Sequence, residues 1–175
     1  MFDFFQKIKN RLKKRTVNVH SLPLKHDRAT WVETWMQIAR TIAEMRSYDP
    51  RLKVGAIIVT ADNTRMLSLG YNGSACGMPN VPESLEPGKS GFVHAEINCC
   101  IKCDYHVTQD KVMYVTHSPC LDCAKVLLNA NIKCVVYDQP YRDMSGVELL
   151  KSAGVAVYSV EEAIVIERHG KATGR

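Results

Sequence analysis

Residues 132–160 read IKCVVYDQPYRDMSGVELLKSAGVAVYSV, and the order of elements within that stretch decides the fold. Ile132 to Tyr137 is a β-branched, apolar run that predicts a strand. Ser145 to Ala153 has helical spacing, Gly154 caps it, and Val155 to Val160 predicts the next strand. Two strands joined by a helical crossover run parallel. Working outward, Val112 to Thr116 predicts a strand, and Pro119 to Asn129 a helix with Pro119 near its first turn. His94 to about Lys102 predicts another helix. Val54 to Val59 and Arg65 to Leu69 predict two strands, joined as a hairpin around Asp62-Asn63. Thr30 and Glu33 form a capping box that starts a helix running to about Arg46. Trp31, Trp35, Ile38, Ile42 and Met45 are its expected core face, and Ser47-Tyr48-Asp49-Pro50 ends it. Residues 74–93 are rich in Gly and Pro without periodicity, and loops of that length in compact domains are usually functional or disordered. The class is therefore α/β.

The chain has 175 residues, of which 46% are hydrophobic and 23% charged. That suits one compact domain and argues against disorder through excess charge. No apolar run approaches the roughly 18 residues of a membrane span, and the N-terminus lacks a secretory h-region. The net charge of +5 is concentrated in Lys7, Lys9, Arg11, Lys13, Lys14 and Arg15. With Phe2, Phe4, Phe5, Ile8 and Leu12 between them, residues 1–15 read as a basic amphipathic arm. The expected division is a basic extension over 1–29, one functional domain over 30–168 and a tail over 169–175. Seven cysteines without a signal peptide point to the reducing cytoplasm, where close-spaced thiols serve metals or redox chemistry.

Two motifs carry the chemistry. His94-Ala95-Glu96 opens one helix and Pro119-Cys120-Leu121-Asp122-Cys123 opens another. Cys120 and Cys123 are spaced i, i+3, which puts both sulfurs on one face. The positive end of the helix dipole favours thiolates there. One imidazole and two thiolates are three ligands for a tetrahedral zinc ion, leaving the fourth position for water. Zinc lowers the pKa of that water to about 7. Glu96, two residues from His94, stands beside the metal as a proton carrier. A second, structural metal at Cys100, Cys103 and His106 is the alternative use of the remaining cysteines.

Arg46-Ser47-Tyr48-Asp49-Pro50, Val54-Gly55-Ala56, Gly70-Tyr71-Asn72-Gly73 and the two metal motifs together resemble the deoxycytidylate (dCMP) deaminase family, especially its compact phage-like members. The resemblance covers roughly residues 30 to 160. The paired motifs H-x-E and P-C-x-x-C mark the zinc deaminases as a whole; the other segments point to the nucleotide branch. The resemblance implies a three-layer α/β/α fold with a five-stranded mixed sheet whose last two strands are parallel. It implies hydrolytic deamination of dCMP to dUMP in pyrimidine deoxynucleotide metabolism, with dCTP as a second candidate substrate. By the family pattern Glu96 shuttles protons, and His94, Cys120 and Cys123 hold one catalytic zinc. Asn72 then binds the deoxyribose, and Ala95 and Ser118 line the base pocket. Arg46, Ser47 and Lys53 are candidates for the phosphate, which needs cations and donors, and Tyr141 for closing over the nucleotide. Many family members are hexamers activated by dCTP, with Mg2+ as its companion, and inhibited by dTTP. Gly70, Tyr71 and Gly73 are the expected effector contacts. The following Ser74-Ala75-Cys76-Gly77-Met78-Pro79 departs from the usual pattern there.

Two readings from other classes share the zinc motif. A deaminase of RNA or single-stranded DNA would use the basic arm, but no aromatic-basic stripe for stacking bases accompanies it. A non-catalytic zinc module would need no Glu96 and would take four protein ligands.

Overall fold

The computed structural model describes residues 28–173. The arm read over residues 1–15, with His20 and His26, lies outside the described residues. Ten elements follow in order: α1 (Trp31–Arg46), β1 (Gly55–Thr60), β2 (Met66–Tyr71), α2 (Ala95–Ile101), β3 (Lys111–His117), α3 (Leu121–Asn129), β4 (Ile132–Gln139), α4 (Ser145–Ser152), β5 (Ala156–Ser159) and α5 (Val160–Thr173).

The strands form one sheet in the order β2-β1-β3-β4-β5. β1 pairs antiparallel with both β2 and β3, while β3–β4 and β4–β5 are parallel. Alternation along each strand feeds two cores. Ala56, Ile58, Met113, Val115 and Val135 meet α2, α3 and α4 on one face. Ile57, Val59, Tyr114 and Val136 meet α1 and α5 on the other. The result is the expected three-layer α/β/α sandwich with a mixed sheet, its last two strands parallel.

The capping box of α1 is present: the Glu33 N–H donates to Thr30 Oγ1 at 3.1 Å, and the Thr30 N–H donates to the Glu33 carboxylate at 2.6 Å. The face that α1 buries differs from the expected one. Val32, Met36, Ala39 and Ala43 are buried, whereas Met45 is 73% exposed and Trp31 lies at the rim. The small residues win because Gly55 brings β1 so close to α1 that a Cβ there would lie 2.8 Å from the Ala43 nitrogen. Trp35 and Ile38 are half-buried and pack against that core as expected, while Trp31 stacks on Trp35 at 5.5 Å from outside it.

The last helix, α5, has no counterpart in the sequence reading, which ran the fifth strand to Val160. Its Glu167 carboxylate accepts from the Trp31 and Val32 N–H groups at 3.1 and 3.0 Å, satisfying orphan donors at the start of α1. Gly154 does end α4 as expected, with φ +82°.

The corrected face of α1 makes a measurable contrast. Met36→Ala should cost about 2–5 kcal/mol in urea unfolding, while Met45→Ala should stay within about 0.5 kcal/mol.

Candidate zinc centre and nucleotide pocket

Two helices start side by side at one end of the sheet, beyond the C-terminal end of its central strand β3. His94 is the N-cap of α2 and Cys120 the N-cap of α3, both in extended backbone conformation and neither with a side-chain capping bond. Cys120 therefore sits just before its helix, one step outside the position expected for it, and Cys123 lies within the first turn. β3 delivers Cys120 by way of His117, Ser118 and Pro119. The His94 carbonyl accepts from the Asn98 N–H at 3.0 Å, and the Asn98 amide donates to the Tyr71 carbonyl at 2.9 Å. That bond ties the start of α2 to the end of β2.

The three predicted ligands converge. His94 Nδ1 lies 3.2 Å from Cys123 Sγ and 3.6 Å from Cys120 Sγ, and all three donor atoms lie within 4.8 Å of one another. Zinc bonds of about 2.0–2.1 Å to nitrogen and 2.3 Å to sulfur, at tetrahedral angles, put such atoms about 3.6–3.8 Å apart. The residues fit that ion. Among the described residues no other group of three His, Cys, Asp or Glu donors meets this spacing.

The electrostatics suit a metal. Cys120 is held down to about 4 by the hydrogen bond from Cys123, then by His94. The same Cys120–Cys123 bond pushes the Cys123 thiol up. His94 is raised chiefly by its bond to Cys120. Glu96 is 4% exposed, and burial lifts it to about 6. The proposed second metal fares differently. Burial pushes Cys100 up to about 11 and raises Cys103, so these are core thiols rather than ligands, and His106 is exposed.

A cavity of about 280 Å³ opens over this centre. His94, Ala95, Glu96 and Cys120 form its floor, Ser118, His117 and Tyr141 a wall, and residues of the 82–92 loop a roof. Ser118 Oγ accepts from the Tyr141 N–H at 2.7 Å, holding the wall together. Burial lowers the His117 pKa, which favours its neutral imidazole. Asn72 also faces the cavity, but its amide is engaged: Nδ2 donates to the Leu52 carbonyl at 2.8 Å and to Asp49 at 3.3 Å. Its Oδ1 accepts from the Val54 N–H at 2.8 Å and from Ser47 Oγ at 2.6 Å. In this structure it shapes the 47–54 loop.

The three phosphate candidates do not line the cavity. Ser47 serves Asn72, Lys53 pairs with Glu44 at 2.6 Å, and Arg46 lies over the Tyr71 ring at 5.6 Å. Arg51 and Arg142 line the cavity instead. The signal for them was adjacency: Arg51 follows Asp49-Pro50, and Arg142 follows Tyr141. Arg142 donates to the Pro87 carbonyl at 3.3 Å and lies over the Tyr141 ring at 5.4 Å. Of the effector candidates, Gly70 is buried against α2, where a Cβ would lie 2.5 Å from the Cys99 nitrogen. Tyr71 lies under two cations, Arg46 and Lys102.

The sequence profile described as "Cytidine and deoxycytidylate deaminase zinc-binding region" matches residues 29–139. ComE operon protein 2 of Bacillus subtilis is 36% identical over 142 residues, 77% of this chain and 74% of that protein. Human deoxycytidylate deaminase is 34% identical over 119 residues, 63% of this chain and 66% of that one. The crystal structure of dCMP deaminase from cyanophage S-TIM5, in complex with dCMP and dUMP, superposes with a TM-score of 0.65 at 32% identity, covering 77% of this chain and 99% of that one.

Metal analysis separates the two cysteine groups. Cys123→Ala should fall from one zinc per chain to none, and Cys103→Ala should keep one.

Proposed function

The chain belongs to the cytidine and deoxycytidylate deaminase family, and from that premise we propose that it hydrolyses dCMP to dUMP and ammonia. One observation carries the reading: a buried carboxylate, Glu96, stands beside the His94–Cys120–Cys123 donor set in the floor of a pocket that also holds two arginines. Zinc bound by those three side chains supplies a water acidic enough to act as nucleophile at neutral pH.

The chain's own residues do the rest. Glu96 takes a proton from the attacking water and delivers it to N3 of the cytosine ring. It then carries the second proton, from the new C4 hydroxyl, to the C4 amine, which leaves as ammonia as the C4–N bond breaks and the C4 carbonyl forms. Burial favours this shuttle, because a carboxylate near neutrality both accepts and returns a proton at physiological pH. Ala95 and Ser118 line the base subsite, and the neutral His117 closes its wall without adding charge. The phosphate subsite is Arg51 and Arg142, both at the rim, where guanidinium forks match phosphate oxygens. Tyr141 covers the nucleotide beside them.

Finer parts of the reading follow from the family. Control by dCTP, with Mg2+, and by dTTP would act at the Tyr71 surface, where Arg46 and Lys102 offer positive charge. Gly70 supports that surface from the core. A homo-hexamer in the cytoplasm and a secondary activity on dCTP belong to the same proposal. Among the described residues no helix is long and apolar enough to cross a membrane.

Steady-state assays of ammonia release test the roles separately. Glu96→Ala should lose about 10²- to 10⁴-fold in kcat while retaining zinc. Arg142→Ala should raise the KM for dCMP about 10- to 100-fold, the scale of one charged hydrogen bond, and leave slow turnover of deoxycytidine unchanged. Full activity in Glu96→Ala, or an equal loss on both substrates in Arg142→Ala, contradicts the assignment.

A further inference from the structure

Gly146 is the second residue of α4 and is buried. A Cβ built on it would overlap the Pro119 carbonyl oxygen and lie 2.6 Å from both the carbonyl carbon and the oxygen of Cys120. These are backbone atoms of the peptides on either side of a zinc ligand. They are also fixed from other directions. Pro119 is fully buried. The Cys120 carbonyl accepts from the Ala124 N–H at 2.9 Å, and the Ser118 N–H donates to the Gln139 carbonyl at 2.9 Å. Val147 and Leu150 of the same helix sit in the core, so α4 cannot recede without opening a void.

Local preference argues for a different residue here. Gly146 has no positive φ, and alanine is the better helix former at such a position. The glycine answers to packing.

We propose that Gly146 is a positioning residue for the zinc centre. Its missing side chain sets how closely α4 seats against Pro119 and Cys120, and so fixes Cys120 Sγ relative to His94 and Cys123. The inference rests on the reading of that donor set as a zinc site. The magnitudes support a functional effect. Restoring ordinary contact around an added Cβ requires a shift of about 1 Å in the Cys120 peptide, whereas zinc–ligand distances are held within about 0.2 Å. A misplacement of about 1 Å is enough to cost roughly 100-fold in rate.

The test compares Gly146→Ala with Leu150→Ala, which loosens the same helix without touching Cys120. Zinc affinity is read by chelator competition, and geometry by the thiolate-to-metal absorption of the cobalt(II)-substituted protein. Gly146→Ala should fold with the wild-type circular dichroism, lose at least tenfold in zinc affinity and show an altered cobalt spectrum. Its kcat on dCMP should drop about 100-fold with KM little changed. Leu150→Ala should melt at a lower temperature yet keep wild-type zinc affinity and cobalt spectrum. Wild-type affinity and spectrum in Gly146→Ala overturn the proposal, as do equal changes in both variants. If Gly146→Ala is recovered unfolded, refolding in excess zinc should restore it; failure at every zinc concentration also overturns the proposal. The wild-type arm stands apart: a wild-type protein that binds no zinc removes the site reading itself, and the proposal with it.

Discussion

The structure depends on two helix N-termini being held within a few ångströms of each other at one end of the sheet. Helix N-caps ordinarily use a side-chain oxygen to satisfy an orphan N–H in the first turn. Here the two N-caps are His94 and Cys120, and both side chains turn toward each other. The uncapped ends supply positive potential to the donor set, which favours thiolate at Cys120. What the helices forgo in capping becomes metal-binding capacity. Removing the sheet register that brings β3 out at this end would leave two ordinary, poorly capped helices.

Close backbone approach is the means by which the layers hold that geometry. Gly55 seats α1 on β1, Gly70 seats α2 on β2, and Gly146 seats α4 against the turn before α3. Each marks a place where a methyl group would separate two elements. The asymmetry of the pocket has a different origin. Its floor is fixed by the starts of two helices, while its phosphate end is built from the tips of two loops, at Arg51 and Arg142. The rigid part carries the chemistry and the adjustable part carries recognition, the usual division between scaffold and loops.

Much of this was legible in the sequence because it follows short-range rules. The metal donors lie in two local motifs, and a three-residue spacing suffices to pair Cys120 with Cys123. The parallel arrangement of β4 and β5 follows from the helix between them. What the sequence did not reveal depends on contacts between distant segments. Helical periodicity in α1 pointed to the large residues Trp31 and Met45, but proximity to Gly55 admits only a stripe containing Ala39 and Ala43. The helix α5 has a weak apolar stripe and exposes Val165 and Ile166, so its periodicity gave little signal. Lys53 and Arg46 have the right charge for a phosphate; their pairing with Glu44 and Tyr71 is a tertiary fact. Asn72 shows the same limit, since no local pattern reveals that its amide is spent on the 47–54 loop.

A zinc ion held by these two N-caps and Cys123 has three protein ligands and one position left for solvent. X-ray absorption at the zinc edge of the purified protein tests it most directly. The expected shell is two sulfur neighbours at about 2.3 Å and two nitrogen or oxygen neighbours at about 2.0–2.1 Å, one of which exchanges when an inhibitor enters the pocket. Three or four sulfur neighbours, or a first shell that no pocket ligand alters, would contradict it.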